Sequence, residues 1–174
     1  MRILSCCAYR GKNIYSHKPV IKMNIELGEY YDVATNEIEG FSDSLIKLLP
    51  GLYKHNCSKG YEGGFIERLK EGTYFAHVIE HVAIELQNLL GYDIAFGRAV
   101  KGDGEKDYNV MFSFINEYAG IESGKIAIEL ISALANNTSY NFNEKLSKLK
   151  EKCIKLDLGI STSMLKIEAE KRKI

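Results

Sequence analysis

The chain has 174 residues, and its 23 Lys plus Arg balance its 23 Asp plus Glu, so the formal net charge is zero. With 45% apolar and 26% charged residues it has the profile of a folded globular chain, long enough for one domain and a short appendage. That balance excludes a dominant electrostatic footprint for nucleic acid or an anionic membrane. No window reaches the roughly 18 continuous apolar residues of a membrane span, and the first residues lack the apolar length and cleavage site of a secretory signal. A cytoplasmic protein is expected, with neither nucleic acid nor membrane as partner.

Residues 2–9 are short and apolar and read as a strand. A loop with Gly11, Asn13 and Pro19 follows, then a strand over 20–27 in which Val20, Ile21, Met23, Ile25 and Leu27 are interleaved with Lys22, Asn24 and Glu26. Helical spacing over 41–49 stops at Pro50-Gly51. A glycine-rich loop spans 60–64, with a helical turn over 65–70. The clearest helix covers 73–90, with Thr73 as expected N-cap and Gly91 just past its end. Its Phe75, Val78, Ile79, Val82, Ala83, Leu86, Leu89 and Leu90 form one apolar face, and His77, Glu80, His81, Glu85, Gln87 and Asn88 fall on the other. Strands are expected over 92–100 and 108–116, joined by the turn-rich segment 101–107, then helices over 118–136, 143–156 and 161–173. The four cysteines, Cys6, Cys7, Cys57 and Cys153, contain no C-x-x-C pair and read as buried reduced thiols, with Cys6 and Cys7 on opposite faces of their strand.

The residues with the most chemistry are His77-Val78-Ile79-Glu80-His81. On a helix, His77 and His81 stand one turn apart on one face and can share a cation, most naturally Zn2+. Glu80, offset to one side, suits a general base rather than a ligand. The order reverses the H-E-x-x-H of the zincins. The contrary reading is two solvent-facing histidines on an amphipathic helix.

A catalytic zinc site needs a third protein ligand. Glu117, at the junction of a strand and a helix, is the first choice. Glu85 is the alternative, but it stands eight residues from His77, about 12 Å along a straight helix, which argues against it. Glu122 and Glu129 are weaker candidates. Arg98, beside Gly97 at the end of a strand, can offer a fork to a carboxylate. Gly63 and Gly64 could let a substrate backbone approach closely. There is no phosphate loop, hence no expected ATP site. His17 and His55 are isolated and given no site role.

In chain order, Met1-Arg2-Ile3-Leu4, Arg10-Gly11-Lys12-Asn13, Ile38-Glu39-Gly40-Phe41, Leu49-Pro50-Gly51-Leu52, Gly63-Gly64-Phe65-Ile66-Glu67-Arg68, Glu71-Gly72-Thr73, the helix from His77 to Gln87, and Phe96-Gly97-Arg98 together resemble the start of cyanophycin synthetases. The resemblance implies a module that grips cyanophycin, an aspartate–arginine polymer, and in some members resembles a metallopeptidase that cuts it into primers. It carries His77 and His81 over as zinc ligands, Glu80 as general base and Arg98 as a substrate-binding residue. It also implies ATP-grasp and Mur-ligase-like domains beyond this stretch. The H-x-x-E-H helix is further similar to that of pitrilysin-type peptidases, whose third ligand is a downstream glutamate at a much longer gap than that from His81 to Glu117.

The expected fold is α+β, a small and mostly antiparallel sheet packed against two main helices. Residues 1–139 would form the metallohydrolase-like, cyanophycin-binding domain. Residues 140–174 would be a helical appendage and linker toward an ATP-grasp domain. The expected activity is zinc-dependent peptidase or amidohydrolase action, with non-catalytic polymer binding as the alternative. Ligase domains are expected partners, and assembly into a homo-oligomer is left open.

Overall fold

The computed structural model describes residues 1–157 and, beyond them, positions 162, 165, 168, 169, 171 and 172. The helix expected over 161–173 falls on that last stretch and, as an element, lies outside the described residues. The elements run β1 (Arg2–Tyr9), β2 (Val20–Glu26), α1 (Phe41–Leu48), α2 (Gly64–Glu71), α3 (Phe75–Leu89), β3 (Gly97–Lys101), β4 (Asp107–Ser113), α4 (Glu117–Ala135) and α5 (Phe142–Leu156). Two short 3-10 turns, Pro50–Lys54 and Cys57–Lys59, lie between α1 and α2. The strands form one antiparallel sheet in the order β1-β2-β4-β3, so the fold is α+β as expected.

The alternation in β2 sends Ile21, Met23 and Ile25 into the core, where Tyr108, Val110 and Phe112 of β4 join them. α4 lies close on this face because two of its residues have no side chain. A methyl at Gly124 would stand 2.5 Å from Met23 Cε, and one at Gly120 would stand 2.9 Å from Phe114 Cβ. Asn116 caps α4 by accepting from the Ala119 amide at 3.1 Å, which starts the helix one residue earlier than its apolar pattern suggests. α5 buries Phe142, Leu149 and Cys153 in the same core cluster.

α3 runs through the centre of the molecule and is buried on nearly every side. Its apolar face packs on the sheet, α4 and α1, as its spacing requires. Its polar face, which the contrary reading turned toward solvent, is covered too: Glu80, His81, Glu85 and Gln87 are all buried. The segment from Pro50 to Lys59 and the start of β3 do the covering. The N-cap is Tyr74, without a side-chain bond, because the Thr73 hydroxyl is turned to His77 instead. Gly91, at φ +96°, ends the helix where a left-handed residue is needed.

β3 is shorter than the strand expected over 92–100. Asn88 holds the backbone of Ile94 from both sides, its Oδ1 accepting from the amide at 2.8 Å and its Nδ2 donating to the carbonyl at 3.1 Å. These bonds replace ladder pairing, so the chain joins the sheet only at Gly97. Cys6 and Cys7 are exposed on the edge strand β1 rather than buried, and all four cysteines are free thiols. Among the described residues no helix is long and apolar enough to cross a membrane.

Candidate metal centre

His77 and His81 converge as helix periodicity requires. Their Nε2 atoms are 3.1 Å apart, with the rings edge to face. The third group in the gap is Cys57, whose Sγ lies 3.2 Å from His77 Nε2. One ligand atom from each of the three falls within 4.8 Å of the others. Cys57 arrives from the turn between α1 and α2 with φ +53°, a left-handed conformation unusual for a side-chain-bearing residue. Phe65 of α2 stacks on His81, centroids 4.0 Å apart, and meets His77 edge-on at 5.6 Å. An apolar wall therefore closes one side of the cluster.

Around this gap runs a chain of polar contacts. His77 Nδ1 lies 3.0 Å from Thr73 Oγ1. His81 Nδ1 lies 2.9 Å from His55 Nδ1, and His55 Nε2 lies 3.0 Å from Glu85 Oε2. Glu80 points to the same gap, its Oε1 4.0 Å from His81 Nε2. Its carboxyl fills a space that exists only because residue 97 is glycine, since a methyl there would stand 2.5 Å from Oε1.

Burial governs the electrostatics. Loss of solvent pushes the Glu80 carboxyl up to about 8. Burial, helped by the Arg68 charge, pulls His77 down to about 4. Burial pulls His81 down to about 2, and repulsion from His77 and His55 adds to it. Neutral imidazoles present lone pairs, and lone pairs are what a cation needs. A cleft of about 1270 Å³ opens onto the cluster, with the exposed side chains of Lys54, Arg68 and Arg98 on its rim.

The remaining sequence candidates sit elsewhere. Glu117 is not a third ligand in this arrangement. Arg10, 107 positions away, takes both of its carboxylate oxygens, at 2.6 and 3.0 Å. Glu85 does not reach the gap either and bonds His55 behind it. Glu122 pairs with Lys125 along α4, and Glu129 pairs with Tyr140 and with Lys145 of α5. Gly63 and Gly64 do not line the cleft. They are packing glycines: Gly63, at φ +86°, packs against Tyr53, and a methyl at Gly64 would stand 2.5 Å from the Asn56 carbonyl. Gly63 N donates to Tyr53 O at 2.6 Å and Phe65 N to His55 O at 3.1 Å, which pins the segment that carries His55 and Cys57. Those two are the residues of the candidate site that sequence reasoning missed. The available signal was their His-x-Cys spacing on a short segment bounded by Pro50-Gly51 and the glycine loop.

Residues 22–136 match the family described as the cyanophycin synthase-like N-terminal domain. The chain belongs to that family. It is similar along its whole length to the cyanophycin synthetase of Crocosphaera subtropica, 41% identical, and to those of Geminocystis herdmanii and Synechocystis, each 38% identical. The chain spans 20% of the length of each of these relatives. Cys57, His77, Glu80, His81 and Arg98 all fall inside the segment matched to the N-terminal domain family.

The donor set of this family member suits a resident ion. One cysteine sulfur and two imidazoles beside a cleft make a three-donor set, the number that catalytic zinc uses, where structural zinc uses four. The separations of 3.1 Å between the two Nε2 atoms and 3.2 Å between Sγ and Nε2 fall a few tenths of an ångström short of the edges of a zinc tetrahedron.

Proposed function

We propose that this domain binds the aspartate–arginine polymer cyanophycin in the cleft beside α3 and hydrolyses it with an ion, zinc first, held by Cys57, His77 and His81. The short chains released would prime synthesis by ATP-dependent ligase domains of the kind the longer relatives imply. The observation that carries this reading is the convergence of three soft and borderline donors beside the buried Glu80 carboxyl, 4.0 Å from His81 Nε2.

When bound, such an ion supplies Lewis acidity toward an amide carbonyl and toward water. The chain's own residues supply the rest. Glu80 takes the proton of the attacking water and hands it to the leaving amine. A cation in the gap favours the carboxylate form that this role requires, against the burial that opposes it. Arg98 and Arg68, on the rim of the cleft, can hold carboxylates of the polymer, Arg98 in bidentate fashion. Phe65 keeps water from the back of the histidine pair.

The test is to incubate untagged protein with cyanophycin, with and without a chelator, and to measure bound metal by elemental analysis. Stoichiometric zinc and chelator-sensitive shortening of the polymer are expected. Glu80→Gln should retain the metal and lose at least 100-fold in turnover, and Cys57→Ser should bind zinc more weakly. Parent-rate hydrolysis by Glu80→Gln would remove Glu80 from the mechanism. One observation favours a non-catalytic tether instead. The contacts from Thr73 through His77, His81 and His55 to Glu85 give every ring nitrogen a partner without any ion. Polymer binding with neither metal nor hydrolysis would establish that second reading.

A further inference from the structure

We propose that Glu85 and His55 are positioning residues that fix the tautomer of His81 and so aim its Nε2 lone pair at the gap shared with Cys57 and His77. The inference rests on the metal-site reading above. It concerns two residues with no place among the three proposed ligands.

The argument is one of direction. An ionised carboxylate only accepts hydrogen bonds. In the proposed relay Glu85 acts as the carboxylate, so its Oε2, 3.0 Å from His55 Nε2, takes the proton of His55 on that nitrogen. In a neutral ring this leaves His55 Nδ1 as an acceptor, and its partner at 2.9 Å is His81 Nδ1, which must donate. His81 then carries its proton on Nδ1 and a lone pair on Nε2, the atom 3.1 Å from His77 Nε2. Each link follows from the one before.

The geometry that holds this relay is built rather than incidental. His55 and Glu85 side chains are only 8% and 7% exposed. Glu85 occupies a space left by Gly51, where a methyl would overlap its carboxylate. His55 is fixed through both backbone groups, its amide donating to Leu52 O and its carbonyl accepting from Phe65 N, each at 3.1 Å. A carboxylate behind a ligating histidine is a recurrent second layer at metal sites. Here an extra imidazole stands between the two.

His77 is held differently. Its Nδ1 partner is the Thr73 hydroxyl, which can donate or accept. Without an ion, His77 can place its proton on Nε2 and bridge to His81. With an ion it places the proton on Nδ1 and donates to Thr73. The two histidines of the motif thus have unequal roles: His81 is preset, and His77 adapts.

The experiment uses the full chain with nitrogen-15 labelling. Two-bond proton–nitrogen spectra of the imidazoles are recorded at neutral pH, first with chelator and then with zinc. The expected result is His81 as the Nδ1–H tautomer and His55 as the Nε2–H tautomer in both states, with His77 alone changing. A proton on His81 Nε2 in the metal-free protein, or a doubly protonated His55, overturns the inference. Zinc affinity by chelator competition gives a second arm. His55→Leu should weaken zinc binding about 10- to 100-fold and shift the cobalt(II) visible bands, whereas His55→Gln, which can accept and donate at the same two points, should restore most of both. His55→Leu binding zinc like the parent with an unchanged cobalt spectrum also overturns it. Should that variant not fold, the parent's tautomer spectrum decides. A parent that binds no zinc removes the metal reading, and the chelator-state spectrum still decides this one.

Discussion

At the scale of single residues, Glu80 and the histidine pair set opposite demands on pH. In metal-free protein, Glu80 is raised to about 8, so between 4.5 and 8 the native state holds a proton that the unfolded chain has released. Stability falls as pH rises through that window. His77 and His81 are lowered from 6.5, so below 6.5 the unfolded chain binds protons that the native rings refuse. Stability falls there as pH falls. Two groups oppose one below 6.5, and Glu80 acts alone above it. The metal-free protein should therefore be most stable near pH 6.5 as far as these three groups decide, losing about 1 kcal/mol toward pH 8. Glu80→Gln should abolish the alkaline decline, which denaturant titrations in chelator at several pH values would measure. An alkaline slope unchanged by Glu80→Gln would mean that the carboxyl is not held neutral.

At the scale of elements, the site depends on glycines that make room for acids. Gly97→Ala puts a methyl 2.5 Å from Glu80 Oε1, and the carboxyl, being the end of a flexible side chain, is the part that yields. Displacement of a catalytic group by about 1 Å costs about 100-fold in rate, so turnover should fall that far while zinc content and melting temperature stay near the parent's. Gly63→Ala acts differently. It strains a φ of +86° and presses on Tyr53, so about 1 kcal/mol of stability should go, visible in the denaturant midpoint. Polymer affinity should fall no further than that loosening explains, because Gly63 does not face the cleft. A selective loss of polymer binding with full stability would restore the substrate role that the sequence suggested for it.

For the whole molecule, the expected division at 139 meets a continuous core. Phe142, Leu149 and Cys153 are 5%, 4% and 3% exposed, all within the cluster that α3 and α4 share. A chain ended at 139 should lose about 3 to 5 kcal/mol from these side chains. Equal melting of the truncated and full chains would make residues 140–174 an independent appendage. The cleft is likewise a property of the whole, formed where α3, the start of β3 and the segment after α1 meet.

The sequence by itself determined most of the elements and half of the candidate site. Period-two alternation placed β2, and 3.6-residue spacing placed α3 and, with it, His77, Glu80 and His81 on one face. Local geometry suffices for residues three and four apart on one helix. The other half depended on which distant segments fold back onto that helix. The histidine-to-cysteine contact spans 20 positions and runs through a left-handed residue and packed glycines, none of which is encoded in any period. The same non-locality misassigned Glu117, whose carboxylate is claimed by Arg10, just past the edge strand β1 and 107 positions away in the chain. It also concealed Cys57 and His55, which enter the site only because tertiary packing buries the polar face of α3 rather than leaving it to water.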